Sequence, residues 1–242
     1  MSGRAYFWSR VRAVVYVTGL CLIGLTRNAH AELFTLGVGA NLFGGVAWLP
    51  QPEPSGFTLL RTQRGGDIPS LIGAAYGGGV TLEPRFLDTL GLELDGFLAR
   101  DFISGDVKVG ASKTPLNIGQ VAVHIPTLLK VRLETGLFDF TAALGPEWVI
   151  PTLPRAEATN STFTAIASAD SYTALTCALG GEANVNLPGF DVRWPLQVRL
   201  SYMPSVGSAL SERVTALPSD AVIFESVPQY QVSLVTGLLN FW

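Results

Sequence analysis

The sequence predicts an all-β chain folded as an eight-stranded antiparallel up-and-down transmembrane β-barrel. Three observations predict it. Strand-length segments are apolar at every second position, with glycine or a charged residue between; connections between these segments alternate long and short; and beyond residue 31 no run approaches the roughly 20 apolar residues that a membrane-crossing helix requires. From Phe34 to Leu42 the even positions are Phe, Leu, Val, Ala and Leu, and the odd ones Thr, Gly, Gly and Asn. A soluble sandwich turns its apolar face inward, but here the other face carries too many charges and the connections are too asymmetric. Lipid offers backbone groups no hydrogen-bond partner, so a closed barrel is the spanning solution that remains.

Residues 1–31 read as a cleaved signal peptide. Arg4, Arg10 and Arg12 precede an apolar stretch from Ala13 to Leu25, and Ala29-His30-Ala31 supplies small residues for cleavage. Cys21 follows the bulky Leu20, which does not suit a lipoprotein signal. Residues 32–242 then form one barrel domain. Four of the 16 basic residues (Arg4, Arg10, Arg12, Arg27) leave with the leader, so 12 remain against 19 acidic ones, a formal charge of −7. That balance excludes nucleic acid as a partner. Cys177, the one cysteine left, has no disulfide partner and shares the apolar phase of Leu175 and Leu179.

The periodicity predicts strands at 33–44, 71–84, 90–100, 117–134, 138–150, 171–186, 192–205 and 228–242. Each exceeds the roughly 9 residues needed to cross at a tilt. Connections at 85–89, 135–137 and 187–191 are short; Thr135-Gly136 and Pro188-Gly189 suit tight reversals. Those at 45–70, 101–116, 151–170 and 206–227 are long and rich in Pro, Ser, Thr and Gly. Short turns on the periplasmic side, long loops outside and an even strand count place both termini in the periplasm. Phe34, Phe86, Phe138, Trp194 and Trp242 mark a turn-side aromatic girdle, and Tyr76, Trp148, Tyr172, Tyr202 and Tyr230 a loop-side one. Pairing across the turn at 85–89 sets Phe97 inward over Gly77 or Gly79. Pro126 lies inside a strand, where a missing N–H leads us to expect a local bulge.

With the apolar phase in lipid, Glu83, Arg85, Glu93, Asp95, His124, Lys130, Arg132, Glu134, Asp139, Glu147, Glu182, Arg193 and Arg199 point inward. Eight strands enclose a bore that side chains fill. An ion-paired network is therefore expected in which Glu83, Glu93, Asp95 and Glu182 meet Arg85, Lys130, Arg132, Arg193 and Arg199. His124 has no serine at matching phase, which argues against nucleophilic catalysis. No metal-ligand spacing, phosphate loop or cofactor motif is present.

Ile125-Pro126, Leu128-Leu129-Lys130 and, across a short turn, Gly145-Pro146 carry a resemblance. The chain resembles the small outer-membrane β-barrel family, porin-like proteins related to the OmpA-type transmembrane domain. The last strand, YQVSLVTGLLNFW, is similar to the C-terminal signal read by the barrel-assembly machinery, through Gly237, Phe241 and Trp242. Asn240 stands where that signal usually has an apolar residue. The resemblance implies a fold, a location in the outer membrane and an assembly partner, and it is silent on activity. The leading expectation is a monomeric, non-enzymatic outer-membrane scaffold whose loops present a ligand-binding surface. A narrow channel for ions or small solutes is the alternative, and a lipid-modifying enzyme ranks third.

Overall fold

The computed structural model describes residues 34–50, 66–67, 70–86, 89–109, 111–133, 135, 138–158, 164–168, 170–187, 189–204, 221–225 and 228–242. The expected signal peptide and Glu134 lie outside these residues. Eight long strands make the wall: β1 (Phe34–Leu49), β2 (Leu71–Phe86), β3 (Leu90–Val109), β4 (Ser112–Leu133), β5 (Phe138–Pro151), β6 (Tyr172–Leu187), β7 (Phe190–Tyr202) and β8 (Tyr230–Phe241). Each pairs antiparallel with the next. β8 pairs with β1, which closes the ring. Leu36 and Trp242 exchange both backbone hydrogen bonds, so the two ends of the barrel chain meet at one rim.

Alternation sets the two faces. On β1 the odd residues Gly37, Asn41, Phe43, Ala47 and Leu49 are buried, while Leu42, Val46 and Trp48 are exposed. Around the ring the outward set includes Val80, Leu98, Leu144, Leu179, Val198 and Leu234, all exposed, and the free Cys177. An exposed Leu179 at 68 % beside a buried Glu182 at 0 % is the inverse of a soluble protein and is the surface of a barrel set in lipid. Trp48, Tyr230 and Tyr202 lie in a row at the loop side, with ring centroids 5.5 and 5.3 Å apart. Tyr172 does not join that girdle: it lies on the inward phase of β6 and accepts a hydrogen bond from Gln120 Nε2 at 3.4 Å.

The bulge expected at Pro126 is absent. Register is the same on either side of it, Leu94 facing Thr127 and Phe97 facing His124, but the two pairs between them are unmade. Equivalent two-pair gaps occur at Pro84 between β2 and β3, at Pro146 between β4 and β5, and at Pro195 between β7 and β8. Each proline removes one N–H and its ladder opens locally without slipping. Slipping by one residue would swap every charge in the strand with every lipid-facing side chain.

The segment 101–116, expected as a loop, is instead strand. β3 and β4 continue as a hairpin to Val109 and Ser112. The pattern inverts beyond Phe102: Ile103, Val107, Leu116 and Ile118 are inward and buried, and Asp106, Lys108 and Lys113 are exposed. Outside the bilayer water rewards the opposite arrangement. Short strands dress this hairpin. Gly66–Asp67 pairs with β3, Arg155–Ala158 with β4, and Thr164–Ser168 runs parallel to Ala221–Glu225.

Candidate functional site

The described interior is stacked in layers. At the turn-side rim, Arg85 lays its guanidinium over the Phe241 ring at 3.4 Å. That ring occupies the space that a side chain at Gly37 would need. Arg193, expected in the central network, pairs here with Asp139 and Asp191, each at 3.0 Å. It lies near the start of β7, where the rim carboxylates are its neighbours, and it remains partly exposed.

Above the rim is the ion-paired belt. Lys130 Nζ sits among three carboxylates, 2.8 Å from Glu83, 2.7 Å from Glu93 and 2.6 Å from Glu182. Arg85 reaches Glu83 at 2.5 Å and Glu182 at 2.7 Å; Arg132 reaches Glu182 at 2.8 Å. Arg199 bridges Glu93 at 2.5 Å and Asp95 at 2.7 Å. Four carboxylates therefore meet four cations, and all eight side chains are buried. Neutral partners complete the set. Gln197 Nε2 donates to Glu93 at 2.9 Å, Thr81 Oγ1 donates to Asp95, and Asn41 Nδ2 donates to Thr81 at 2.5 Å. Gly237, opposite Asn41, leaves the room that amide occupies.

An aromatic layer follows. Phe43 and Phe97 meet edge to face at 5.1 Å, Arg199 lies 5.5 Å from the Phe97 centroid, and Ala75, Ala99 and Val235 fill in around them. Phe43 is opposite Gly77, and Phe97 opposite Gly79. The remaining gap beside these rings is about 10 Å³, at the lower limit for one water molecule.

His124 heads the next layer and was only partly legible from sequence. Its Nδ1 is 2.6 Å from Glu147 and its Nε2 3.0 Å from Asp101. Glu147 also accepts from Thr176 Oγ1 at 2.6 Å and Ser201 Oγ at 2.9 Å, and Gln120 donates to Asp101 at 3.1 Å. A neutral imidazole has only one N–H and an ionised carboxylate cannot donate, so making both contacts takes two protons among the three groups, one more than a neutral imidazole brings. Asp101, Gln120, Thr176 and Ser201 escaped the sequence reading. Asp101 keeps the odd phase of Glu93 and Asp95, which was the available signal.

A serine does lie near His124, but it donates to Glu147, and both imidazole nitrogens are occupied by carboxylates. The arrangement leaves no base free to activate a nucleophile. Among the described residues no three His, Cys, Asp or Glu side chains group as a metal site. Towards the loop end the bore is filled by Ala47, Leu49, Leu71, Ile103, Val107, Leu116 and Ile118, with Ala156, Ala158 and Ala165 packed against them.

No family model and no curated protein matches the chain. Among solved structures it is similar to the outer membrane protein OprG from Pseudomonas aeruginosa, at 17% identity and a TM-score of 0.44, over 87% of this chain and 97% of that one. It is also similar to the translocator domain of the autotransporter NalP from Neisseria meningitidis, at 14% identity and a TM-score of 0.26, over 99% and 97%. Likenesses this distant do not bear on activity.

Proposed function

We propose that this chain is a non-enzymatic outer-membrane barrel with a closed bore, a scaffold that holds the β3–β4 hairpin and its neighbouring short strands at the cell surface. The observation that carries the reading is the filled interior: a charge-balanced belt, a pair of phenylalanines on glycines, a hydrogen-bonded histidine cluster and an apolar plug follow one another along the bore. In this reading residues 1–31 direct export and are removed. Gly237, Phe241 and Trp242 engage the assembly machinery, both termini face the periplasm, and the protein works as a monomer.

Desolvating four ion pairs costs several kcal/mol per charge unless each is paired well. A wide aqueous pore would have no need of that arrangement, since water would solvate its charges. Potassium efflux from proteoliposomes tests the reading. Efflux at the rate of protein-free vesicles supports the scaffold; rapid, saturable efflux would replace it with the narrow channel. Surface presentation is tested with Ala111→Cys in a Cys177→Ser background. The thiol at the hairpin tip should react with a membrane-impermeant maleimide on intact cells, and protection there would reverse the topology.

A further inference from the structure

We propose that the outer wall carries a binding site for a phosphate-bearing lipid of the surrounding leaflet, in a groove floored by Gly119. This site is on the lipid side of the wall and is independent of what the bore does. The groove encloses about 640 Å³. Its geometry follows from three neighbouring strands. Phe102 of β3, Gly119 of β4 and Arg155 of the short strand Arg155–Ala158 are consecutive partners in one row. All three lie on the outward phase, because Ala156 and Ala158, between and beside the outward residues, pack on the inner apolar cluster. Glycine in the middle leaves Phe102 and Arg155 separated by two strand spacings, roughly 10 Å, with no side chain between them.

The walls of this gap divide by chemistry. Tyr76 and Phe102, ring centroids 6.4 Å apart, and the exposed Leu153 offer apolar contact for an acyl chain. Arg100 and Arg155 both line the groove and are exposed, and neither forms an ion pair among the described residues. Every interior arginine described above has a carboxylate; among the described residues these two have none. Arg100 lies between exposed Leu98 on the turn side and Phe102 on the loop side, level with the aromatic girdle. There an arginine stem covers apolar surface while its head reaches the phosphate layer. Glu157 also lines the groove, one row farther towards the loop end, opposite Asn117. It bars an anion from that end and leaves the guanidinium pair as the place for phosphate. Two guanidinium forks beside an acyl-sized apolar wall match a phosphorylated amphiphile better than a neutral lipid or a soluble anion.

Native mass spectrometry of the folded protein in detergent, offered equal phosphatidylglycerol and phosphatidylcholine, tests this. The wild type should retain phosphatidylglycerol preferentially. Arg100→Gln/Arg155→Gln should weaken retention about tenfold, the loss of one to two charge-assisted hydrogen bonds. Gly119→Leu, which fills the floor and leaves both charges, should weaken it too, while Lys113→Gln on the exposed hairpin should not. Heat-modifiable electrophoretic mobility verifies folding of each variant. Equal retention of the two lipids by the wild type would overturn the site. So would a preference that survives the double arginine change, a loss as large in Lys113→Gln, or equal retention of glycerol phosphate without acyl chains.

Discussion

Phe97 of β3 lies directly opposite Gly79 of β2, inside the bore. A β-carbon at Gly79 would collide with the carbonyl oxygen of Gly96 and come within 2.8 Å of the Phe97 Cα. The missing side chain lets the backbones of β2 and β3 approach closely opposite the ring. Phe43 over Gly77 and Phe241 over Gly37 repeat it.

Gly79→Ala should destabilise the folded barrel by about 1 to 3 kcal/mol through overpacking. Phe97→Ala should cost about 3 to 5 kcal/mol by leaving a cavity. Urea titration in lipid vesicles measures both. An unchanged midpoint for Gly79→Ala would show that the two strands separate there without cost.

His124 bridges Asp101 and Glu147, so its removal leaves two buried carboxylates facing each other. His124→Ala should cost about 3 to 5 kcal/mol, the range for breaking a buried pair. Ser201→Ala removes only one donor to Glu147, and Thr176 remains; about 1 kcal/mol is expected. Cells carrying Ser201→Ala should have the same lipid profile as the wild type. Disappearance of a modified lipid species would reinstate catalysis.

Pro126 faces Asp95 across an unmade pair. Pro126→Ala supplies the missing N–H, which should appear as a new slowly exchanging amide at residue 126. Gain of about 1 kcal/mol from the bond is offset by the greater freedom of the unfolded chain, so stability should stay within about 1 kcal/mol. A slip of register, visible as lost protection in β3 and β4, would contradict the view that proline only opens the ladder.

Strand phase was legible from Phe34 to Leu42 and in most of the wall, because lipid and a packed bore demand opposite side chains at successive residues. The same phase puts Glu83, Arg85, Glu93, Asp95, Lys130, Arg132, Glu182 and Arg199 on one side of the wall. It failed within residues 101–116, where from Ile103 onward Ile103, Val107, Leu116 and Ile118 turn inward beyond the bilayer and the apolar-outward rule inverts. Treating that stretch as loop hid Asp101, and with it half the clamp on His124. Arg193 had the right phase but the wrong height, and phase alone carries no information about height along the bore. Tyr172 faces the bore rather than the girdle for a related reason: an aromatic near a strand end can face either way.

Lys130 is the centre of the belt, with its ammonium group within 2.8 Å of Glu83, Glu93 and Glu182. The most direct test of a sealed bore is the unfolding free energy of Lys130→Ala in lipid vesicles, with single-channel current recorded on the same preparation. Uncompensated carboxylates should lower stability by about 3 to 5 kcal/mol relative to the wild type, and the wild type should show no unitary current. Unchanged stability together with a clear shift in conductance would contradict the closed belt and make the barrel a channel.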